Sequence, residues 1–352
     1  MATDIEQDET LHGEEAIIAI LAPLAQGFAG AFGLRDDCAV LTPAPGTELV
    51  LKVDPVAEGV HFLPDDAPED IAWKALAVNV SDLAAKAARP LGYLMALSFP
   101  EAPRADWVAR FATGLAEAQA RFGCHLIGGD TDRRAGPLTI TITVIGEVER
   151  GRMVRRGTAR ASDAVYVSGT LGDAALGLAL RKEPALAAAW GLSPAEAEHL
   201  RRRYVRPEPR LALASALRDH ASAAMDISDG LAKDLARLSA ASGCAGRVRF
   251  AELPLSAGCA RALAADPGLG QRIVAGGDDY EILAIVPAAR APAFQADALK
   301  AGVAVTRIGA MAAGSGIVIE DPSGQPLALD RTGWDHFRES PLPTEDDGER
   351  GP

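Results

Sequence analysis

Over residues 149–162 the chain is charged and glycine-containing and loses all apolar periodicity, while on either side strand-like and helix-like runs alternate. That break constrains the fold most. A chain of 352 residues exceeds one comfortable core, so two domains are expected. Alternating strands and helices make each of them α/β or α+β with mixed sheets. The expected division is a flexible N-terminus over 1–15, an N-terminal α/β domain over 16–149, a C-terminal α/β domain over 150–340 and a flexible tail over 341–352.

In the first half, residues 48–53 read as a strand and 70–89 as a helix, opened by acidic residues and stopped by Pro90. Residues 104–122 give a second helix with the apolar stripe Trp107, Phe111, Leu115, Ala118 and Phe122, closed by Gly123. Over 138–148, Leu138, Ile140, Ile142 and Val144 alternate with threonines, the pattern of a half-buried strand. The second half predicts strands over 164–168, 223–227, 281–286 and 303–310. Its helices fall over 173–180, near 194–203 and 208–219, and from Leu231 to Gly243.

The tripeptide Gly128-Gly129-Asp130, read as a glycine turn between two strands, recurs as Gly276-Gly277-Asp278, and Ser81-Asp82 recurs as Ser228-Asp229 at nearly the same offset. Glycine beside aspartate lets backbone amides and hard carboxylate oxygens approach a phosphate and a divalent cation. With 35 glycines, chance recurrence of so short a motif is the competing reading. Asp36-Asp37, Asp54, Asp82, Asp130, Asp226 and Asp229 all stand in comparable contexts. Any one of them alone reads as a cap or turn residue. Converging carboxylates repel one another and need a cation, and oxygen-only ligands favour Mg²⁺ or Mn²⁺ over zinc. Asp82 stands inside a helix, a poor place for aspartate, with Asn79 on the same face and Lys86 placed for a surface ion pair. Arg155-Arg156, Arg206 and Arg210 offer cations for phosphate, whereas 201–203 read as a solvated arginine face.

Several function classes are excluded. With 35 basic against 48 acidic residues the net charge is −13 and no basic block exists, which argues against nucleic acid or an anionic membrane as partner. No apolar run approaches the ~20 residues of a membrane span. The acidic start over 1–15 lacks a signal-peptide pattern, and Cys38, Cys124, Cys244 and Cys259 form no C-x-x-C, so a cytoplasmic protein without zinc is expected. P-loop, dinucleotide-binding and G-x-S-x-G motifs are missing. His61 and His336 either contact a phosphate or pack.

In order, the chain carries Asp36-Asp37-Cys38-Ala39, Val53-Asp54-Pro55-Val56, Glu58-Gly59-Val60-His61-Phe62 and the run 74–85 with Asn79-Val80-Ser81-Asp82. Gly128-Gly129-Asp130-Thr131, Asp226-Ile227-Ser228-Asp229-Gly230, Gly276-Gly277-Asp278-Asp279-Tyr280-Glu281 and Gly333-Trp334-Asp335-His336-Phe337 follow. This order resembles the thiamine-monophosphate kinase family from about Phe32 to Phe337. The resemblance implies a two-domain fold like that of aminoimidazole-ribonucleotide synthetase, a homodimer paired through the N-terminal sheet, and direct in-line transfer of the γ-phosphate of ATP to thiamine monophosphate. It implies several Mg²⁺ ions held by Asp37, Asp54, Asp82, Asp130, Asp226 and Asp229, with backbone contacts at Lys52 and Val53. It places ATP at Gly129, Asp130, Arg156 and Ser228, and the thiamine phosphate at His61, Asp278 and Trp334. No covalent nucleophile is implied.

The chain departs from the family pattern in four places. Lys52-Val53-Asp54 stands where the family writes Ser/Thr-Thr-Asp, Gly33-Leu34-Arg35-Asp36-Asp37 where it writes Gly-x-Gly-Asp-Asp, Asp278 stands for a glutamate, and Lys86 for a methionine. Rival readings are another ATP-using synthetase of the superfamily, a non-catalytic metal- or nucleotide-binding relative, and a phosphatase. Selenophosphate synthetase needs a reactive residue near the N-terminus and the hydrogenase-maturation ATPase a C-terminal cysteine. The first cysteine here is Cys38, and 346–352 hold none.

Overall fold

The computed structural model describes residues 10–330 and 332–334; Asp335, His336, Phe337 and the segment 341–352 lie outside the described residues. After α1 (Glu14–Leu21), the first half runs β1 (Thr47–Ala57), α2 (Pro68–Ala85), β2 (Arg89–Phe99), α3 (Ala105–Phe122), β3 (His125–Arg133) and β4 (Thr139–Glu149). The second half begins β5 (Ala164–Ser168), α4 (Asp173–Lys182), α5 (Leu186–Ala189), α6 (Pro194–Val205), α7 (Ala214–His220), β6 (Ala223–Ile227) and α8 (Leu231–Ser242). It ends β7 (Ala245–Arg249), α9 (Ala257–Ala265), α10 (Leu269–Ala275), β8 (Glu281–Val286), α11 (Ala291–Lys300), β9 (Val305–Ala312) and β10 (Ile317–Glu320).

Among the described residues these strands form two sheets, one ordered β1-β4-β2-β3 and the other β10-β7-β9-β5-β8-β6. Only β2 with β3 and β10 with β7 pair in parallel. Each sheet has its own apolar core. The alternation read in β4 holds, with Ile140, Ile142 and Val144 buried between partly exposed threonines. α3 buries Phe111, Leu115, Ala118 and Phe122, as its stripe predicts.

α2 joins the two units. Nearly every residue from Pro68 to Ala85 is buried, as expected of a helix apolar on all sides. It touches β1 and β4 on one side and β6 and β8 on the other. The helix therefore carries its polar exceptions, Lys74, Asn79 and Asp82, into the junction between the sheets.

Three expectations are corrected. The helix stops at Ala85, and Arg89 and Pro90 begin β2; a register shift between Pro90 and Gly92 absorbs the proline's missing donor. Gly128-Gly129-Asp130 is not a turn but the middle of β3. A Cβ on Gly129 would sit 1.9 Å from the Met95 carbonyl oxygen, so close strand approach explains that glycine. The helix read over 208–219 is a 3-10 turn, Leu211–Leu213, followed by the shorter α7.

Candidate active site

Four of the aspartates gather at the junction. Asp54 lies in the edge strand β1, Asp82 in the last turn of α2, Asp226 near the end of β6, and Asp229 in the loop between β6 and α8. Asn79 fixes the first of them. Its Oδ1 accepts from the Asp54 amide at 2.9 Å, and its Nδ2 donates to the Asp54 carbonyl at 3.4 Å and to Ala75 O at 3.1 Å. The side-chain amide thus acts as a strand partner for an edge residue. Lys52 shares the Asp54 face of β1, and its Nζ lies 2.9 Å from both Asp54 Oδ2 and Asp82 Oδ2. Burial works to lower the Lys52 pKa, but the two carboxylates outweigh it and hold it above its ordinary value. Burial and the neighbouring charges of Asp82 and Asp229 hold the Asp54 carboxyl up despite Lys52. Burial, reinforced by the Asp82 charge, pushes Asp226 well above the carboxylate range. Lys86 does not pair with Asp82; its Nζ donates to Ala224 O at 2.8 Å and ties α2 to β6.

The loop before α8 is held from beneath. Buried Asp234, in the first turn of α8, accepts from the amides of Ser228 and Asp229, both at 2.9 Å. Burial raises its pKa to about 6. Arg237 Nη1 lies 2.6 Å from Asp229 and 2.9 Å from Asp234. The second glycine pair packs against this loop. The Asp278 amide donates to Ser228 O at 2.9 Å, and a Cβ on Gly277 would come within 2.5 Å of that same oxygen. Asp278 takes a left-handed backbone (φ 71°), as does Tyr280 (φ 49°).

The residues expected at the acceptor phosphate reach the same junction. Lys74, only 3% exposed, places its Nζ 3.3 Å from Asp278 Oδ2 and 3.6 Å from the centre of the Tyr204 ring. The Tyr204 hydroxyl donates to His61 O at 3.3 Å. His61 Nδ1 accepts from the Ala57 amide at 3.0 Å, which leaves the proton of a neutral ring on Nε2. The Trp334 amide donates to Asp229 O at 3.1 Å and its carbonyl accepts from Lys233, so its backbone is held against the loop before α8.

The other expected residues stand apart. Strand register puts Asp54, Ile142, Met95 and Gly129 in one row on the α2 side, and Pro55, Thr141, Ala96 and Asp130 in the next row on the open side. Asp130 is thus on the far edge strand and the opposite face, about 14 Å away by three strand spacings. Asp37 is exposed in the loop after a second 3-10 segment, Ala29–Leu34, which packs against β3. Val53 is 52% exposed on the open face, in a row with Thr143, Leu94 and Gly128. Arg156 is exposed in the linker, close enough to help lower the Lys86 pKa, which burial chiefly depresses.

Three arginines are structural. Arg203 is buried, donating to Asp279 O at 2.8 Å and Glu281 Oε1 at 2.9 Å, so it does not belong to a solvated face. Arg210 Nε donates to Glu281 Oε2 at 2.7 Å, and Arg206 pairs with Asp70 and Glu117. Sequence reasoning gave Lys74 and Asp234 no role. The available signal for Lys74 was a lone cation inside the apolar run 71–78.

Among the described residues no three acidic, histidine or cysteine side chains already converge on one metal position. The donors nonetheless suit Mg²⁺, which takes one or two carboxylates and completes its shell with water and substrate phosphate. Asp54 with Asp82, and Asp226 beside Asp82, are pairs of that kind.

Residues 35–148 match the family described as AIR synthase related protein, N-terminal domain, and residues 160–321 that described as AIR synthase related protein, C-terminal domain. Fold and site thus define an AIR synthase related protein. Thiamine-monophosphate kinase of Caulobacter vibrioides is 41% identical over 323 residues, 91% of this chain and 89% of that one. The crystal structure of thiamine-monophosphate kinase from Stenotrophomonas maltophilia K279a superposes with a TM-score of 0.79 at 39% identity, covering 90% of this chain and 98% of that one. AaThiL complexed with AMPPCP and TMP gives 0.73 at 31%, covering 92% and 97%. The chain belongs to the thiamine-monophosphate kinase family and is an ATP-dependent kinase. No helix among the described residues is long and apolar enough to cross a membrane.

Proposed function

We propose that the chain transfers the γ-phosphate of ATP in line to the phosphate of thiamine monophosphate, giving thiamine diphosphate and ADP. The observation that carries this is the meeting of Asp54, Asp82, Asp226 and Asp229 with the Asp278 turn at one junction. Bound Mg²⁺ would neutralise the charge of two facing phosphate chains. Asp54, Asp82, Asp226 and Asp229 would hold it there, joined by Asp37 and, from a second copy, by Asp130. The strained Asp278 turn, His61 and Trp334 position the acceptor. Gly129, Asp130, Arg156 and Ser228 receive ATP, and the amino end of α8 directs its backbone dipoles at phosphate. The attacking group is the substrate's own phosphate oxygen.

The reading includes a cytoplasmic homodimer built through residues 16–149, with 150–340 alongside. Leu49, Leu51, Val53 and Leu94 are all exposed on the open face of the first sheet, an apolar stripe that favours a partner. A second copy docked there brings its own Asp130 to a site that a single chain leaves divided. Purified protein with ATP, Mg²⁺ and thiamine monophosphate should form thiamine diphosphate, and Asp82→Asn should abolish it while leaving the fold intact. Free phosphate without thiamine diphosphate would refute the proposal.

A further inference from the structure

Asp82 stands where a carboxylate is least welcome. It is in the last turn of α2, at the negative end of the helix dipole, inside the junction and next to Asp54 and Asp226. Something positive must compensate it, and in this chain that charge is covalently attached. Lys52 Nζ lies 2.9 Å from Asp82 Oδ2 and 2.9 Å from Asp54 Oδ2, bridging the two oxygens as a small cation would. The geometry is fixed from both ends. Lys52 and Asp54 belong to one strand, Asn79 anchors the Asp54 backbone to α2, and Asp82 is one helical turn beyond Asn79. All three side chains are at most half exposed, so solvent does not dissolve the pairs as it would on an open surface.

We infer that Lys52 is a built-in cation that takes the place of one divalent ion at the Asp54–Asp82 pair. The chain then binds one divalent ion fewer per subunit than the same chain without that ammonium. The inference rests on the metal-binding reading above and refines it. Two carboxylates carry charge −2, and the ammonium leaves the pair at −1. A divalent ion arriving there must meet a like charge within a few ångströms, a repulsion that costs far more at a half-buried site than in water. The compact, flexible ammonium also explains why a lysine here does not exclude metal from the rest of the site. Asp226 is outside its two contacts and keeps its own ligand capacity, as does the second oxygen of Asp229, whose Oδ2 pairs with Lys233 and Arg237.

The test counts Mn²⁺ directly, by the electron paramagnetic resonance signal of unbound Mn²⁺, on whole protein without nucleotide. Lys52→Met keeps the stem and removes the charge, and should bind one more Mn²⁺ per chain than the wild type, at least about tenfold tighter than any ion the wild type holds at this pair. Lys52→Arg should keep the wild-type count. Adding Asp82→Asn to Lys52→Met should abolish the extra ion. Lys52→Thr, with an intact melting transition, serves where the methionine variant does not fold. Equal counts and affinities in wild type and Lys52→Met would overturn the inference, as would an extra ion that survives loss of Asp82. So would the absence of bound Mn²⁺ in both. Failure of the kinase reading shows separately, as no thiamine diphosphate from the wild type.

Discussion

Asn79→Ala isolates the residue that ties a carboxylate of the site to the central helix. Asn79 is fully buried and makes two hydrogen bonds of normal length, from the Asp54 amide at 2.9 Å and to Ala75 O at 3.1 Å, plus a long one of 3.4 Å to the Asp54 carbonyl. Counting about 1 kcal/mol for each normal bond and little for the long one, the variant should lose about 2 kcal/mol of stability. β1 is an edge strand, so part of the unsatisfied backbone can turn to water, which keeps the cost from rising further. The functional effect has a different scale. Freed from α2, Asp54 and Lys52 no longer face Asp82 at a fixed distance, so Asp82 loses the partners that orient it toward an ion shared with Asp226, and loss of an orienting partner of this kind costs about 10–100-fold in metal affinity. Urea unfolding in a chelating buffer reads the first effect. The Mg²⁺ concentration giving half-maximal thiamine diphosphate formation reads the second, and should rise about tenfold or more. A variant that loses stability with unchanged Mg²⁺ dependence would show that Asn79 only fills the core. A variant that loses neither would contradict the hydrogen-bond pattern itself.

Lys74→Met removes the buried cation facing Asp278 and should cost no more than about 3 kcal/mol, since Asp278 keeps some access to water; it should raise KM for thiamine monophosphate more than it lowers kcat, and an unchanged KM would remove Asp278 from the acceptor site. Leu51→Glu, at a position 64% exposed, should give a monomer by sedimentation with turnover largely lost, whereas a fully active monomer would refute a site completed by a partner. Glu196 closes a capping box with Ser193 at the start of α6 and pairs with Arg261; hydrogen bonds from Ser193, backbone first, and then Arg261 lower its pKa to about 2. A depressed folded-state pKa stabilises above the ordinary carboxylate value and loses that effect as pH falls. The urea-midpoint advantage of wild type over Glu196→Ala should therefore be full at pH 7 and narrow between about pH 4.5 and 2, and a gap independent of pH would contradict it.

The strands that sequence revealed are those whose pattern has one cause. β5, β6 and β8 fall on the residues read as strand, because short apolar runs bounded by glycine or charge have few other uses in an α/β chain. β2 was hidden because Pro90 and Gly92 both signal a break, and a local register shift tolerates them. β7 was missed because Ala245-Gly246-Arg247-Val248-Arg249 sets one β-branched side chain between two exposed arginines, and β10 because it has only four residues at the sheet edge. The site was legible as a set of aspartates but not as an arrangement. No local pattern shows that Asp82 and Asp226 meet across two sheets, or that Asp130 falls on the opposite face from Asp54. Lys52 was visible only as a departure at a ligand position. Its pairing with Asp54 and Asp82 depends on the strand alternation that turns residues 52 and 54, but not 53, toward α2.

The repeated tripeptide shows the limit of reading function from letters. Both copies contain a glycine because a backbone oxygen comes too close for a Cβ, Met95 O at Gly129 and Ser228 O at Gly277. The aspartate that follows inherits its position from that neighbour. In β3 the neighbour is a parallel strand, which sends Asp130 to the open, apolar face of the first sheet. In the turn before β8 the neighbour is the loop entering α8, which sets Asp278 in a left-handed conformation beside Lys74. One cause, close packing of two backbones, thus yields carboxylates on opposite sides of the first sheet, Asp130 on its open face and Asp278 beside Lys74 of α2. If both serve one phosphoryl transfer, a single chain cannot bring them together through the sheet that separates them. In the proposed dimer a second copy over Leu49, Leu51 and Val53 would have to bring its Asp130 around the edge strand β1 to reach Asp54.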